Sequence, residues 1–186
     1  MHPVLELTIA LSLAALFAAS TLHKLRALAE WPGIVRNYRL VPDAVAGIVA
    51  GVLLAAEALT GAALLWAPAR RLGACSAALL LILFGAALWI NVRRGRTSID
   101  CGCFGSRLRQ RISAWMVARN LALALFALTL LLPRGPGALS ALELAASLTC
   151  VVTLAFLYPV LAVVLRPLPP TYDDNHLAAA RARSSR

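Results

Sequence analysis

Charge is scarce in this chain. Of its 186 residues only 14% are Asp, Glu, Lys or Arg, while 61% are hydrophobic; soluble domains lie near about 25% charged and about 45–50% apolar. No polar stretch is long enough to make a soluble core, since the segments between apolar runs reach only roughly 20 residues. The three histidines, His2, His23 and His176, are far apart. Neither they nor the four cysteines reproduce the spacing of a four-ligand metal centre, so no metal site is predicted. The apolar stretches do not alternate, which excludes barrel strands, and no internal repeat of the transporter kind is visible. Basic residues do not precede the first apolar run; Lys24 and Arg26 follow it, which suits a retained span better than a cleaved leader.

Five long apolar runs are what the chain does have. They cover residues 4–22, 44–67, 72–92, 112–132 and 138–165, and each carries at most one charge: Glu6, Glu57, none, Arg119 and Glu143 in turn. A bilayer core of about 30 Å needs about 20 such residues as helix. The last run is long enough to tilt, or to kink at Pro159. The expected fold is therefore all-α, a polytopic membrane bundle of four to five helices over residues 1–166. The Pro-rich tail, 167–186, is expected to be flexible, with its arginines near anionic lipid.

The net charge of +10 does not indicate a nucleic-acid partner, because the arginines flank spans rather than clustering on a soluble fold. They sort by face instead. Lys24, Arg26, Arg36, Arg39, Arg93, Arg94, Arg96, Arg107, Arg109, Arg111 and the four tail arginines fall on one side; only Arg70, Arg71 and Arg134 fall on the other. The positive-inside rule then predicts a periplasmic N-terminus and a cytoplasmic C-terminus in an inner membrane, with the loop after the third run also cytoplasmic.

Ionisable groups within a span are functional candidates. Glu57 stands near the middle of the second run and Arg119 in the fourth, next to Asn120. A Glu57–Arg119 ion pair facing the interior is expected to lower the cost of both charges. Either it clamps the helices, or with Asn120 it forms a polar intramembrane pocket for a quinone headgroup or a relayed proton. Gly47 and Gly51, in "GIVAG", are read as small residues for close packing within the chain.

The loop "NVRRGRTSIDCGCFGSRLRQR" holds Cys101 and Cys103, one glycine apart. Such a pair closes a small strained ring that is easily reduced, hence oxidising, and Gly102 permits the backbone angles required. Arg96 and Arg107, with Arg109, are candidate thiolate stabilisers opposed by Asp100. A structural disulfide here restricts almost none of the unfolded chain, so a redox pair that exchanges with another protein is the favoured reading. Cys75 and Cys150 are read as idle thiols buried among apolar residues. Were they to meet, they would form a second pair across the membrane.

Several short motifs occur in order: "STLHKL", "NYRLVP", Glu57, "NVRRG", "DCGCFG" and "ARN". On these the chain, from about residue 12 to about 133, resembles the methylamine utilisation protein MauE family, related to the DoxX-like group, and its length resembles MauE rather than a thioredoxin fusion. The resemblance implies a membrane accessory of methylamine dehydrogenase maturation, acting with a thioredoxin-like MauD-type protein on the small beta subunit through processing, export or disulfide formation. It implies that Cys101 and Cys103 are the redox pair, and that Lys24, Glu57, Arg119 and Asn120 are family positions of unassigned role. DoxX-like relatives keep quinone as a candidate cofactor. The alternatives are a non-catalytic membrane scaffold or export factor, and a helix bundle that binds a quinone or small solute. A periplasmic partner calls for a periplasmic dithiol, whereas the charge distribution predicts a cytoplasmic one.

Overall fold

In a computed structural model the described residues are 2–96, 113–133, 141 and 144–153, and among them all regular structure is helical. Residues Met1–Val151 form one compact unit; of the second, Val152–Arg186, only Val152 and Thr153 are described. The predicted tail, and most of the fifth apolar run, lie outside the described residues.

Helix α1, Pro3–Arg26, opens with the His2 ring accepting from the Val4 N–H at 3.4 Å and with proline at its first position, where the missing N–H costs nothing. Glu6 in its first turn and His23, Lys24 and Arg26 in its last match the helix dipole. A short α2, Trp31–Asn37, follows with Pro32 in its first turn. Helix α3, Ala46–Leu65, ends at Trp66, whose extended backbone leads through a tight turn at Ala67–Ala69 into α4, Arg70–Arg93. Helix α5 is Ala114–Thr129, and a further apolar helix runs Leu144–Thr153.

Three helices, at Pro3–Arg26, Asp43–Leu65 and Ala67–Arg93, are long and apolar enough to cross a membrane, in agreement with the first three runs. The fourth run is shorter as helix than expected. The 16 residues of α5 rise only about 24 Å, because Ser113 is extended at its start. Its last apolar residues, Leu130 to Leu132, continue as i→i−3 turns.

The chain runs up and down. Gly61 of α3 lies against Ala14 and Phe17 of α1, and Gly73 of α4 against Ala63 and Leu64 of α3. Gly85 of α4 faces Asn120 of α5, so consecutive long helices are antiparallel. The core is largely alanine: Ala10, Ala14, Ala74, Ala77, Ala78, Ala124 and Ala127, with Leu13, Phe17, Leu64 and Leu81. Lipid is as apolar as leucine, so small residues that let backbones approach supply the association energy. At Gly73 a Cβ would stand 2.8 Å from the Leu64 nitrogen and 2.9 Å from the Ala63 carbonyl carbon, a space only glycine fits. Gly47 and Gly51, by contrast, have open space where a Cβ would be, among the described residues. The expected close packing through that pair is not formed there; Ala46 and Ala50 carry the buried face of α3 instead, against Trp31 and Val35.

Candidate functional site

Ser20 and Lys24 are four residues apart on α1 and share one face. Opposite them, near the middle of α3, is Glu57, only 1% exposed. The Lys24 ammonium donates to a Glu57 carboxylate oxygen in a buried ion pair, and the Ser20 hydroxyl lies 3.4 Å from both carboxylate oxygens. Two aromatic rings complete the enclosure: Lys24 Nζ is 4.4 Å from the Trp31 ring centroid and 5.2 Å from that of Phe84 on α4. Trp31 is held in turn by its indole N–H, which donates to the Ala50 carbonyl at 2.9 Å.

Electrostatics explains the arrangement. An isolated charge at this depth costs several kcal/mol. Here the cation meets an anion and two ring faces, while the anion gains a hydroxyl, so every charged atom is matched. One cluster thereby ties α1, α2, α3 and α4 together, drawing Lys24 inward from the loop-side end of α1.

This corrects the expected Glu57–Arg119 pair. Both partners of Glu57 come from α1, and Arg119 is half-buried on α5, the helix that packs chiefly on α4. The residue that α5 turns toward α4 is Asn120, 4% exposed and facing Gly85. Its amide nitrogen has no hydrogen-bond partner among the described residues. Asn91, fully buried on α4, donates to the Ala87 carbonyl at 3.0 Å, while its side-chain oxygen is likewise unmatched.

Cys101, Cys103 and Arg107 lie outside the described residues, as do Asp100 and Arg109; the two anchors of their loop are described. At the α4 end Gly95 takes φ +70° and the Arg96 N–H returns to the Asn91 carbonyl at 3.0 Å, a turn that suits glycine. One guanidinium nitrogen of Arg96 is buried with no partner among the described residues. At the α5 end Met116 packs with Leu88, flanked by Tyr38, Val92 and Val117, so the helices entering and leaving the loop are fixed to each other. Cys75 and Cys150 are both free and exposed: they form no second pair, and their thiols face outward rather than into a core.

The sequence pointed to Lys24 as a flanking charge and, through the resemblance, as a family position of unassigned role; it gave no notice of Ser20, Trp31 and Phe84. The i, i+4 spacing inside "STLHKL" and the Trp31-Pro32 helix start were the available signals.

The family described as methylamine utilisation protein MauE matches residues 2–133, a stretch that includes Ser20, Lys24, Glu57, Cys101, Cys103 and Asn120. The methylamine utilization protein MauE of Paracoccus denitrificans is 45% identical over 130 residues, 70% of each chain. That of Paracoccus versutus is 43% identical over 127 residues, 68% of each chain. That of Methylorubrum extorquens is 43% identical over 139 residues, 74% of this chain and 75% of the relative. No solved structure matches.

Proposed function

This chain belongs to the methylamine utilisation protein MauE family, and from that premise we propose that it is a membrane accessory protein of methylamine utilisation that works by thiol–disulfide exchange. Cys101 and Cys103 form the exchanging pair. A thioredoxin-like, MauD-type protein is the partner, and the small beta subunit of methylamine dehydrogenase is the protein matured. In each exchange a thiolate attacks a disulfide sulfur, a mixed disulfide forms, and the second thiol resolves it. Two electrons and two protons pass between the two dithiol/disulfide pairs.

The observation that carries this reading is the buried, unmatched guanidinium nitrogen of Arg96, five residues before Cys101. A nearby cation with a donor still unmatched favours thiolate over thiol. The packed anchors at Leu88 and Met116 hold together the helix ends that flank the dithiol segment. Below them the Lys24–Glu57 cluster, through Phe84, braces α4, the helix from which the loop leaves. Arg107 is a second thiolate stabiliser in this account.

The protein sits in the inner membrane with its N-terminus periplasmic and the dithiol loop toward the cytoplasm. Arg36, Arg39, Arg93 and Arg94 support that orientation, Arg94 donating to the Arg39 carbonyl at 3.3 Å across the α2–α4 gap. Lys24 no longer counts, since its charge is spent on Glu57, but Arg70 on the other face is spent on Glu6 as well.

Trapping tests the exchange. In cells that make the complete system, Cys103→Ser is expected to accumulate a reductant-sensitive adduct with the thioredoxin-like protein, absent in the Cys101→Ser/Cys103→Ser variant. A non-catalytic scaffold or export factor predicts the reverse pattern: no adduct, and the double variant keeps partner binding and growth on methylamine.

A second reading is favoured by the unmatched amide nitrogen of Asn120. In it, Asn120 donates to a quinone carbonyl oxygen, with Arg119 as its neighbour on α5. A quinone supplies, when bound, a two-electron acceptor for the dithiol.

A further inference from the structure

At the end of the bundle away from the dithiol loop, the start of α1, the α3–α4 turn and the end of α5 converge around a cleft of about 380 Å3. Its polar floor is Glu6, Arg70 and Arg71; Leu130 and Leu132 form an apolar wall. Glu6 is 7% exposed and accepts from Arg70 Nη1 at 2.9 Å. Arg70 Nε donates to the Leu64 carbonyl at 3.2 Å, a last-turn oxygen of α3 that has no helical donor of its own. Arg70 is therefore fixed on two sides, by a carboxylate and by a helix end. Arg71, the next residue, is exposed and forms no hydrogen bond or ion pair among the described residues.

Among the described residues, two guanidinium groups against one carboxylate give the floor a net positive charge. Its volume falls in the range of small-ligand sites, too small for a folded partner to enter. The wall is leucine, and Trp66, next in sequence to the lining residue Ala67, is 66% exposed at the junction of two spans, the depth at which indoles mark the headgroup layer. An occupant of that depth presents an anion to the arginines and hydrocarbon to the leucines. We propose that this cleft is a binding site for an anionic phospholipid, its phosphate on Arg70 and Arg71 and its acyl chain along Leu130 and Leu132. Guanidinium matches phosphate geometry through paired N–H donors. Glu6, by holding Arg70 in place, sets the spacing of the two cations.

The test is native mass spectrometry of the purified full chain in detergent micelles, titrated with phosphatidylglycerol or phosphatidylcholine. Wild type is expected to retain phosphatidylglycerol preferentially. Arg71→Gln is expected to weaken that retention about tenfold and leave phosphatidylcholine unchanged. Arg26→Gln, which removes an exposed arginine at the opposite end, is expected to change neither. Equal retention of the two lipids, or an Arg71→Gln protein that binds as wild type does, overturns the proposal. Full displacement by millimolar inorganic phosphate also overturns it, because the site then reads the free anion and not the lipid. A thermal unfolding midpoint for Arg71→Gln equal to wild type before lipid is added separates lost binding from lost folding.

Discussion

Lys24 and Glu57, separated by 33 positions in sequence, form an ion pair in which both side chains are almost completely buried. The pair joins the loop-side end of α1 to the middle of α3, and the rings of Trp31 and Phe84 close over its cation.

Breaking that pair from one side leaves an uncompensated charge within the bundle. Glu57→Leu is expected to cost about 3–5 kcal/mol of stability. The double variant Lys24→Met/Glu57→Leu, which removes both charges, is expected to recover most of it. Unfolding in detergent followed by circular dichroism measures the cycle; additive losses would show that the two side chains do not interact.

Trp31 contributes through its ring and its N–H separately. Trp31→Phe keeps a ring over Lys24 and loses the bond to the Ala50 carbonyl, for about 1 kcal/mol. Trp31→Leu loses the cation–π contact too, worth about 2 kcal/mol in a desolvated setting. The same unfolding assay reads both, and equal costs for the two would remove the cation–π contribution.

The glycines divide by what lies over them. Gly73→Ala forces a methyl into the backbone of Ala63 and Leu64 and is expected to cost about 1–3 kcal/mol. Gly47→Ala meets open space and is expected to be neutral or to stabilise the helix by up to about 1 kcal/mol. A paired comparison of unfolding midpoints checks the order, which should not invert.

Much of this was legible because lipid-facing helices announce themselves. Runs of apolar residues marked the cores of α1, α3 and α4, since nothing else satisfies a backbone in hydrocarbon. The short α5 was only half legible: Ser113 at its N-cap is a helix-start residue inside the apolar run, whereas Leu130–Leu132 are as apolar as the helix before them and nothing in their side chains marks its end. The role of Lys24 was not legible for a related reason: just past an apolar run a lysine counts with the loop charges, and only the antiparallel placement of α3 brings Glu57 within its reach. Arg119 drew attention as the charge inside a span, yet the rotation of α5 turns Asn120 toward α4. "GIVAG" was expected to pack because glycines permit close approach; Ala46 and Ala50 occupy that face instead.

Asn120 distinguishes a structural amide from a ligand donor. Asn120→Leu removes a buried, unmatched polar group and is expected to leave stability unchanged or raised. If the amide holds a quinone, the same change weakens binding of a soluble ubiquinone analogue about tenfold, read by quenching of tryptophan fluorescence. Unaltered binding would remove Asn120 from any quinone site.

The central claim, that Cys101 and Cys103 are an exchanging dithiol, is met most directly by labelling with a membrane-impermeant maleimide. The variant lacks Cys75 and Cys150 and is studied in intact spheroplasts and in inverted vesicles, before and after reduction. The account predicts labelling only after reduction, and in the vesicles. Labelling after reduction in spheroplasts would reverse the orientation and keep the chemistry; full labelling without reductant in either preparation would contradict the exchanging dithiol itself.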